Sequence, residues 1–188
     1  MTMLPENVKK VFNRATCLHS RAEVDAALDD MAFHMSEKLS DKNPILLVVM
    51  TGGVITAGQL ATRLDFPLQM DYVHATRYNS GLTGSEIKWR AEPKLDLKDR
   101  YVVIVDDILD EGLTLSSIID YCQSKEVRGI YTAVLVDKNH PRKPGGLDKA
   151  DFTGLFIEDR YVFGYGLDYK EYLRNASGIY AVHPDDQK

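Results

Sequence analysis

The chain is poor in cysteine: of its 188 residues only Cys17 and Cys122 carry thiols, and they are far apart in sequence. That count excludes a disulfide framework and a thiolate metal cluster, and it fits two reduced thiols in a cytoplasmic protein. A basic balance is missing too. Lys and Arg number 23 against 28 Asp and Glu, a formal net charge of -5, so no global positive field gathers nucleic-acid phosphates and any anionic ligand must be held locally. No apolar run approaches the length that spans a bilayer, and the first twenty residues mix Glu6, Lys9, Lys10 and Arg14 among the apolar ones. The protein therefore reads as soluble. Its hydrophobic content of 44% is enough for one domain that buries roughly two thirds of its unfolded surface.

What is present is an alternation of strand and helix signals. Ser20 and Glu23 have capping-box spacing, and Val24, Leu28, Met31, Met35 and Leu39 recur at helical intervals, which predicts a helix from about Arg21 to Leu39. Ile45 to Met50, ILLVVM, is a continuous apolar run of the kind a central parallel strand needs, and Thr51, Gly52 and Gly53 end it abruptly. A helix over Val54 to Leu64 follows. Further strands are expected over Pro67 to Thr76, Tyr101 to Val105 and Ile130 to Val136, with a helix carrying Leu115, Ile118, Ile119 and Cys122 between the last two. Asn79 to Arg90 is long and polar and holds Gly81 and Gly84, so it reads as a mobile loop. The pattern is α/β with a mainly parallel sheet, in which ligands bind beyond the carboxyl ends of strands. Both glycine-containing breaks, at 51–53 and 106–114, fall at such ends.

The second break is the more telling. Asp106, Asp107, Asp110 and Glu111 crowd into one short stretch, where mutual repulsion costs stability unless a cation or a hydroxyl-rich ligand occupies the site. A solvated acidic turn capping the next helix is the plainer reading of an isolated acid pair. Here the acids follow the buried run VVIV directly, and Gly112 and Thr114 supply flexibility, a hydroxyl and free N–H groups at a helix N-terminus, the means of cradling a phosphate. Carboxylates beside a phosphate cradle point to a sugar phosphate.

Val102 to Leu115, VVIVDDILDEGLTL, resembles the phosphoribosyl pyrophosphate signature of the type I phosphoribosyltransferases, matched without a gap. The resemblance implies that family's fold: one domain over residues 1–188, a mainly parallel sheet flanked by helices, a small hood and a flexible loop. It also implies that Asp106 and Asp107 contact the ribose hydroxyls and magnesium, while Asp110, Glu111, Gly112, Leu113, Thr114 and Leu115 wrap the 5-phosphate. Thr51, Gly52 and Gly53 match the family's pyrophosphate loop, where absent side chains let backbone N–H groups approach an anion. Glu158 to Tyr169, EDRYVFGYGLDY, with EYLR at Glu171 to Arg174, is similar to the bacterial type of the hypoxanthine-guanine branch. By that likeness Tyr161 stacks on the purine, the Val162 backbone meets the base edge, Asp168 approaches a second magnesium and Arg174 reaches the pyrophosphate. Taken without the upstream motif, the same segment is a tyrosine-rich hairpin. Lys138, past the strand ending at Val136, matches the lysine that donates to a purine 6-oxo group. Tyr78 opens the family's flexible loop. Many relatives place serine before that tyrosine; this chain has Arg77, which could contact pyrophosphate or pair with a site carboxylate.

The implied reaction joins purine N9 to C1 of magnesium-bound phosphoribosyl pyrophosphate, giving IMP or GMP and pyrophosphate. Asp110 is the expected general base beside N7, and Ile108 packs on the base. Magnesium is the one cofactor implied, and a homodimer or homotetramer the implied assembly. Two other readings stand beside this one: a xanthine-preferring phosphoribosyltransferase, and a regulator of the same fold that senses phosphoribosyl pyrophosphate and binds RNA. The acidic balance argues against the regulator.

Overall fold

The computed structural model describes residues 5–78 and 86–187. Helix α1 (Pro5–Arg14) and strand β1 (Thr16–His19) precede helix α2 (Arg21–Leu39), and β2 (Ile45–Val49), α3 (Gly53–Ala61), β3 (Gln69–Tyr78) and β4 (Glu86–Ala91) follow. Next come β5 (Tyr101–Leu109), α4 (Leu113–Ser124), β6 (Gly129–Asn139) and β7 (Phe152–Glu158), and then the short strands β8 (Val162–Phe163) and β9 (Ile179–Ala181).

The main sheet has the order β4-β3-β2-β5-β6-β7 and is parallel except for β4, which runs antiparallel to β3. Its central strands alternate between two cores. Leu46, Val48, Val103, Val105, Ala133 and Leu135 face α2 and α3, whereas Ile45, Leu47, Val102, Ile104 and Val134 face α4 through Leu115, Ile118 and Cys122. Burial on both faces is why β2 and the part of β5 before Asp106 read as unbroken apolar runs. Truncating one of these leucines to alanine costs about 2–5 kcal/mol. The capping box of α2 is complete, with the Ser20 backbone N–H donating to Glu23 at 2.7 Å and the Glu23 N–H to Ser20 Oγ at 3.4 Å.

Two expectations change. Glu86–Ala91 is strand, not loop: Thr76 pairs with Lys88 and His74 with Ala91, and Trp89 is anchored on Tyr121 with ring centroids 4.6 Å apart. Of the expected loop, residues 79–85 lie outside the described residues. Arg77 and Tyr78 end β3 opposite Ile87 and Glu86, and their side chains, with the roles expected of them, lie outside the description too. The first residues also gain a place. β1, β9 and β8 form an antiparallel hood sheet, which α1 covers through a cluster of Val11, Phe163, Tyr169 and Val182. Arg14 fastens α1 to the C-terminal turn through Asp185 at 2.7 Å and Asp186 at 3.2 Å. Among the described residues no helix is long and apolar enough to cross a membrane.

Candidate active site

Parallel pairing brings the carboxyl ends of β2, β5 and β6 to one edge of the sheet. A cavity of about 360 Å³ opens there, lined by Gly52, Asp106, Asp107, Ile108, Asp110, Thr114, Lys138, Tyr161, Val162, Asp168 and Arg174 together with Val49, Met50, Ala75 and Leu167. A second, of about 240 Å³, shares Asp106, Ile108, Asp110 and Thr114 with it and adds Leu109, Glu111, Gly112 and Leu115. Two segments singled out from the sequence, fifty residues apart, thus meet at one opening. A cavity of about 440 Å³ between α1 and the C-terminal turn is larger, but its acids, Asp185 and Asp186, are already paired with Arg14.

The solvated-turn reading of the acid pair does not hold. β5 continues past Val105 to Leu109 because the long β6 goes on pairing with it, Asp106 opposite Val134 and Leu109 opposite Asp137. Asp106 and Asp107 are strand residues, 9% and 8% exposed. Burial pushes the Asp106 carboxyl well above the usual carboxylate range, and the adjacent Asp107 charge adds to the push. Burial raises Asp107 as well, against the Asp106 hydrogen bond and the Arg174 charge. The acid pair is held together by the Asp107 N–H, which donates to Asp106 Oδ1 at 2.9 Å. The loop after β2 lies directly on the pair: a Cβ on Gly52 would stand 2.1 Å from Asp107 Oδ2, so glycine alone permits this approach. Gly53 opens α3, and neither it nor Thr51 is among the residues lining the cavity.

Beyond β5 the chain turns sharply into α4. Gly112 is its N-cap at φ +79°, a conformation glycine adopts without strain. The segment after β6 closes over this turn, with the Leu147 N–H donating to the Gly112 carbonyl at 3.1 Å and Lys143 Nζ reaching Glu111 at 2.6 Å. Leu113 begins α4. The Leu115 side chain is core, only 2% exposed, so what it can offer a phosphate is its backbone.

Lys138, near the end of β6, stands between two carboxylates, Asp110 at 3.2 Å and Asp159 at 3.3 Å. Ile108 is half-buried and lines the same cavity. Tyr161 lies 5.5 Å from the Tyr169 ring, and its carbonyl accepts the Val182 N–H at 2.8 Å. Val162 pairs with Ala181 in the hood, with its side chain buried. Arg174 bonds Asp168 at 2.8 Å and donates to the Gly166 carbonyl at 2.6 Å. Asp168 accepts the Glu171 N–H on its other oxygen at 2.8 Å. Both Asp168 oxygens are thus engaged, and among the described residues no group of three or more His, Cys, Asp or Glu side chains converges to hold a metal ion alone.

Sequence reasoning passed over the segment after Lys138. Arg142 forms a buried ion pair with Asp137 and donates to the carbonyls of Asp110 at 2.9 Å and Lys138 at 2.8 Å, locking the two loops together. His140 touches Asp110 at 2.7 Å. Neither lies in a motif; the one available signal was a histidine and an arginine clustered directly behind a candidate site lysine.

The chain belongs to the family described as the phosphoribosyl transferase domain, whose sequence profile matches residues 18–170. Within that family it is similar to hypoxanthine-guanine phosphoribosyltransferases of bacteria. It is 32% identical to that of Streptococcus pneumoniae over 94% of both chains, and 30% identical to that of Bacillus subtilis over 97% of both. Among solved structures, a hypoxanthine phosphoribosyltransferase of Staphylococcus aureus superposes with a TM-score of 0.88 at 27% identity, covering 94% of this chain and 96% of that one.

Proposed function

We propose that this protein transfers the 5-phosphoribosyl group of phosphoribosyl pyrophosphate to N9 of hypoxanthine or guanine, a purine-salvage reaction that forms IMP or GMP and releases pyrophosphate. The observation that carries the reading is the contact between Lys138 and Asp110 in a cavity that also holds the buried pair Asp106 and Asp107. A cation suited to a 6-oxo group, a carboxylate suited to a purine proton and an acid pair suited to a ribose then share one opening.

In this reading the Asp106 and Asp107 carboxylates face the ribose 2- and 3-hydroxyls, the turn from Asp110 to Leu115 cradles the 5-phosphate, and the loop 51–53 with Arg174 meets the pyrophosphate. Tyr161 and Ile108 pack on the base while the Val162 backbone reads its edge. As the N9–C1 bond forms and the C1–O bond to pyrophosphate breaks, the displaced purine proton passes to Asp110. Positioning and charge stabilisation supply most of the acceleration. Magnesium fits the donor set: two hard oxygen donors stored together, with the remaining positions left to substrate oxygens, as that ion prefers. When bound it neutralises the leaving pyrophosphate. Asp168 would serve a second ion through the lone pairs that its contacts with Arg174 and the Glu171 N–H leave over. By its family the protein assembles as a homodimer or homotetramer.

The test is a spectrophotometric assay with phosphoribosyl pyrophosphate, magnesium and each of hypoxanthine, guanine, xanthine and adenine. Turnover with hypoxanthine and guanine at kcat/KM about a hundredfold above adenine is the expected result. Preference for xanthine overturns the base assignment, and inactivity with all four overturns the reading.

A further inference from the structure

One side chain outside these roles closes on the reacting carboxylate. The His140 side chain is 18% exposed, with Nε2 2.7 Å from Asp110 Oδ1 and Nδ1 2.8 Å from the Pro141 carbonyl oxygen. A carbonyl only accepts, and so does a carboxylate, so both contacts are hydrogen bonds when both ring nitrogens carry protons, the charged form of the ring; the bond to Pro141 then fixes its orientation. Nε2 is thereby aimed at Oδ1. The other Asp110 oxygen lies 3.2 Å from Lys138 Nζ, and Arg142 ties the Asp110 and Lys138 backbones to each other. The Asp110 side chain itself is 43% exposed, and a carboxylate in that setting keeps its rotamer freedom unless partners remove it.

We propose that His140 is a positioning residue for Asp110: by holding Oδ1 it keeps Oδ2 beside Lys138, where both can meet the same purine. The proposal rests on the reading of Asp110 as the group that takes the purine proton. That proton goes to Oδ2, while the contact at Oδ1 sets the direction from which it arrives, and a shift of even about 1 Å in such a group can cost up to about a hundredfold in rate.

Four variants test this: His140→Ala, His140→Gln, Asp110→Asn and the double variant Asp110→Asn/His140→Ala, each assayed for kcat and for KM of phosphoribosyl pyrophosphate. His140→Ala is expected to lower kcat about tenfold and leave that KM within about twofold. His140→Gln, which can still donate toward Oδ1, is expected to recover part of the loss. In the Asp110→Asn background His140→Ala is expected to change kcat by less than about twofold, because the group it positions is already disabled. Unchanged kcat in His140→Ala, an equal fall in both backgrounds, or a rise in KM that matches the fall in kcat overturns the proposal. Normal kcat in Asp110→Asn alone removes the base assignment beneath it, a failure distinct from the other three.

Discussion

Asp106 and Asp110 lie on one stretch of chain and face one cavity, yet their surroundings are opposite. Asp106 is 9% exposed, its nearest charge is the like charge of Asp107, and burial drives its carboxyl upward. The Asp110 side chain is 43% exposed and has two basic partners, Lys138 at 3.2 Å and His140 at 2.7 Å. The first arrangement stores unfavourable electrostatics that an arriving cation relieves. The second stores none of that and instead fixes direction. Carboxylates meant to bind charge and carboxylates meant to move a proton are thus built differently within a few residues of each other.

The sharpest way to break this comparison is at Asp110. Asp110→Asn should lower kcat with hypoxanthine by about a hundredfold to a thousandfold, the usual worth of a general base, and leave the KM for phosphoribosyl pyrophosphate within about twofold. If the KM rises as far as kcat falls, Asp110 holds substrate in the manner of the acid pair, and the contrast disappears. A smaller effect is expected at its partner. Lys138→Gln should lower kcat/KM for hypoxanthine by about tenfold, through loss of a charged hydrogen bond to the 6-oxo group, while the residual rate with adenine stays unchanged. Equal losses on both bases would mean that Lys138 serves Asp110 rather than the purine.

The two arrangements were not equally legible. The run ILLVVM and the run before Asp106 announce parallel strands because such strands are buried on both faces, and the acids that follow stand next to one another in sequence. That Asp106 and Asp107 lie within the strand was hidden, since the extension depends on the length of β6, whose Val134 and Asp137 pair with Asp106 and Leu109. His140 was harder to find because its partner is 30 residues away and no motif connects them. A small hood was implied by the resemblance, but its strands were hidden for a related reason. β8 spans Val162 and Phe163 only, and its neighbour β9 bridges it to β1 by pairing Thr16 with Ala181, so strands this short owe their existence to partners at the other end of the chain. β4 escaped notice because it is a short antiparallel edge strand next to glycine-containing polar sequence.

The smallest expected effect bears on the stored repulsion itself. Asp106→Asn keeps an oxygen for the Asp107 N–H, now 2.9 Å from Asp106 Oδ1, and removes one of two adjacent buried charges. In magnesium-free buffer at pH 7 it should raise stability by about 1 kcal/mol, roughly 2–4 °C in Tm for a chain of this size. The pH dependence fixes the cause. The folded-state value of Asp106 is raised above its unfolded value, so the folded protein holds this proton to higher pH than the unfolded chain does. The native acid therefore costs nothing below the ordinary carboxylate value of about 4, and its cost grows as pH climbs from there through the raised folded value. The variant's advantage in Tm should accordingly be near zero in acid and largest toward neutral pH. An advantage of the same size at pH 4 and pH 7 would trace the gain to packing, and no advantage at either would mean the acid pair is not under electrostatic load.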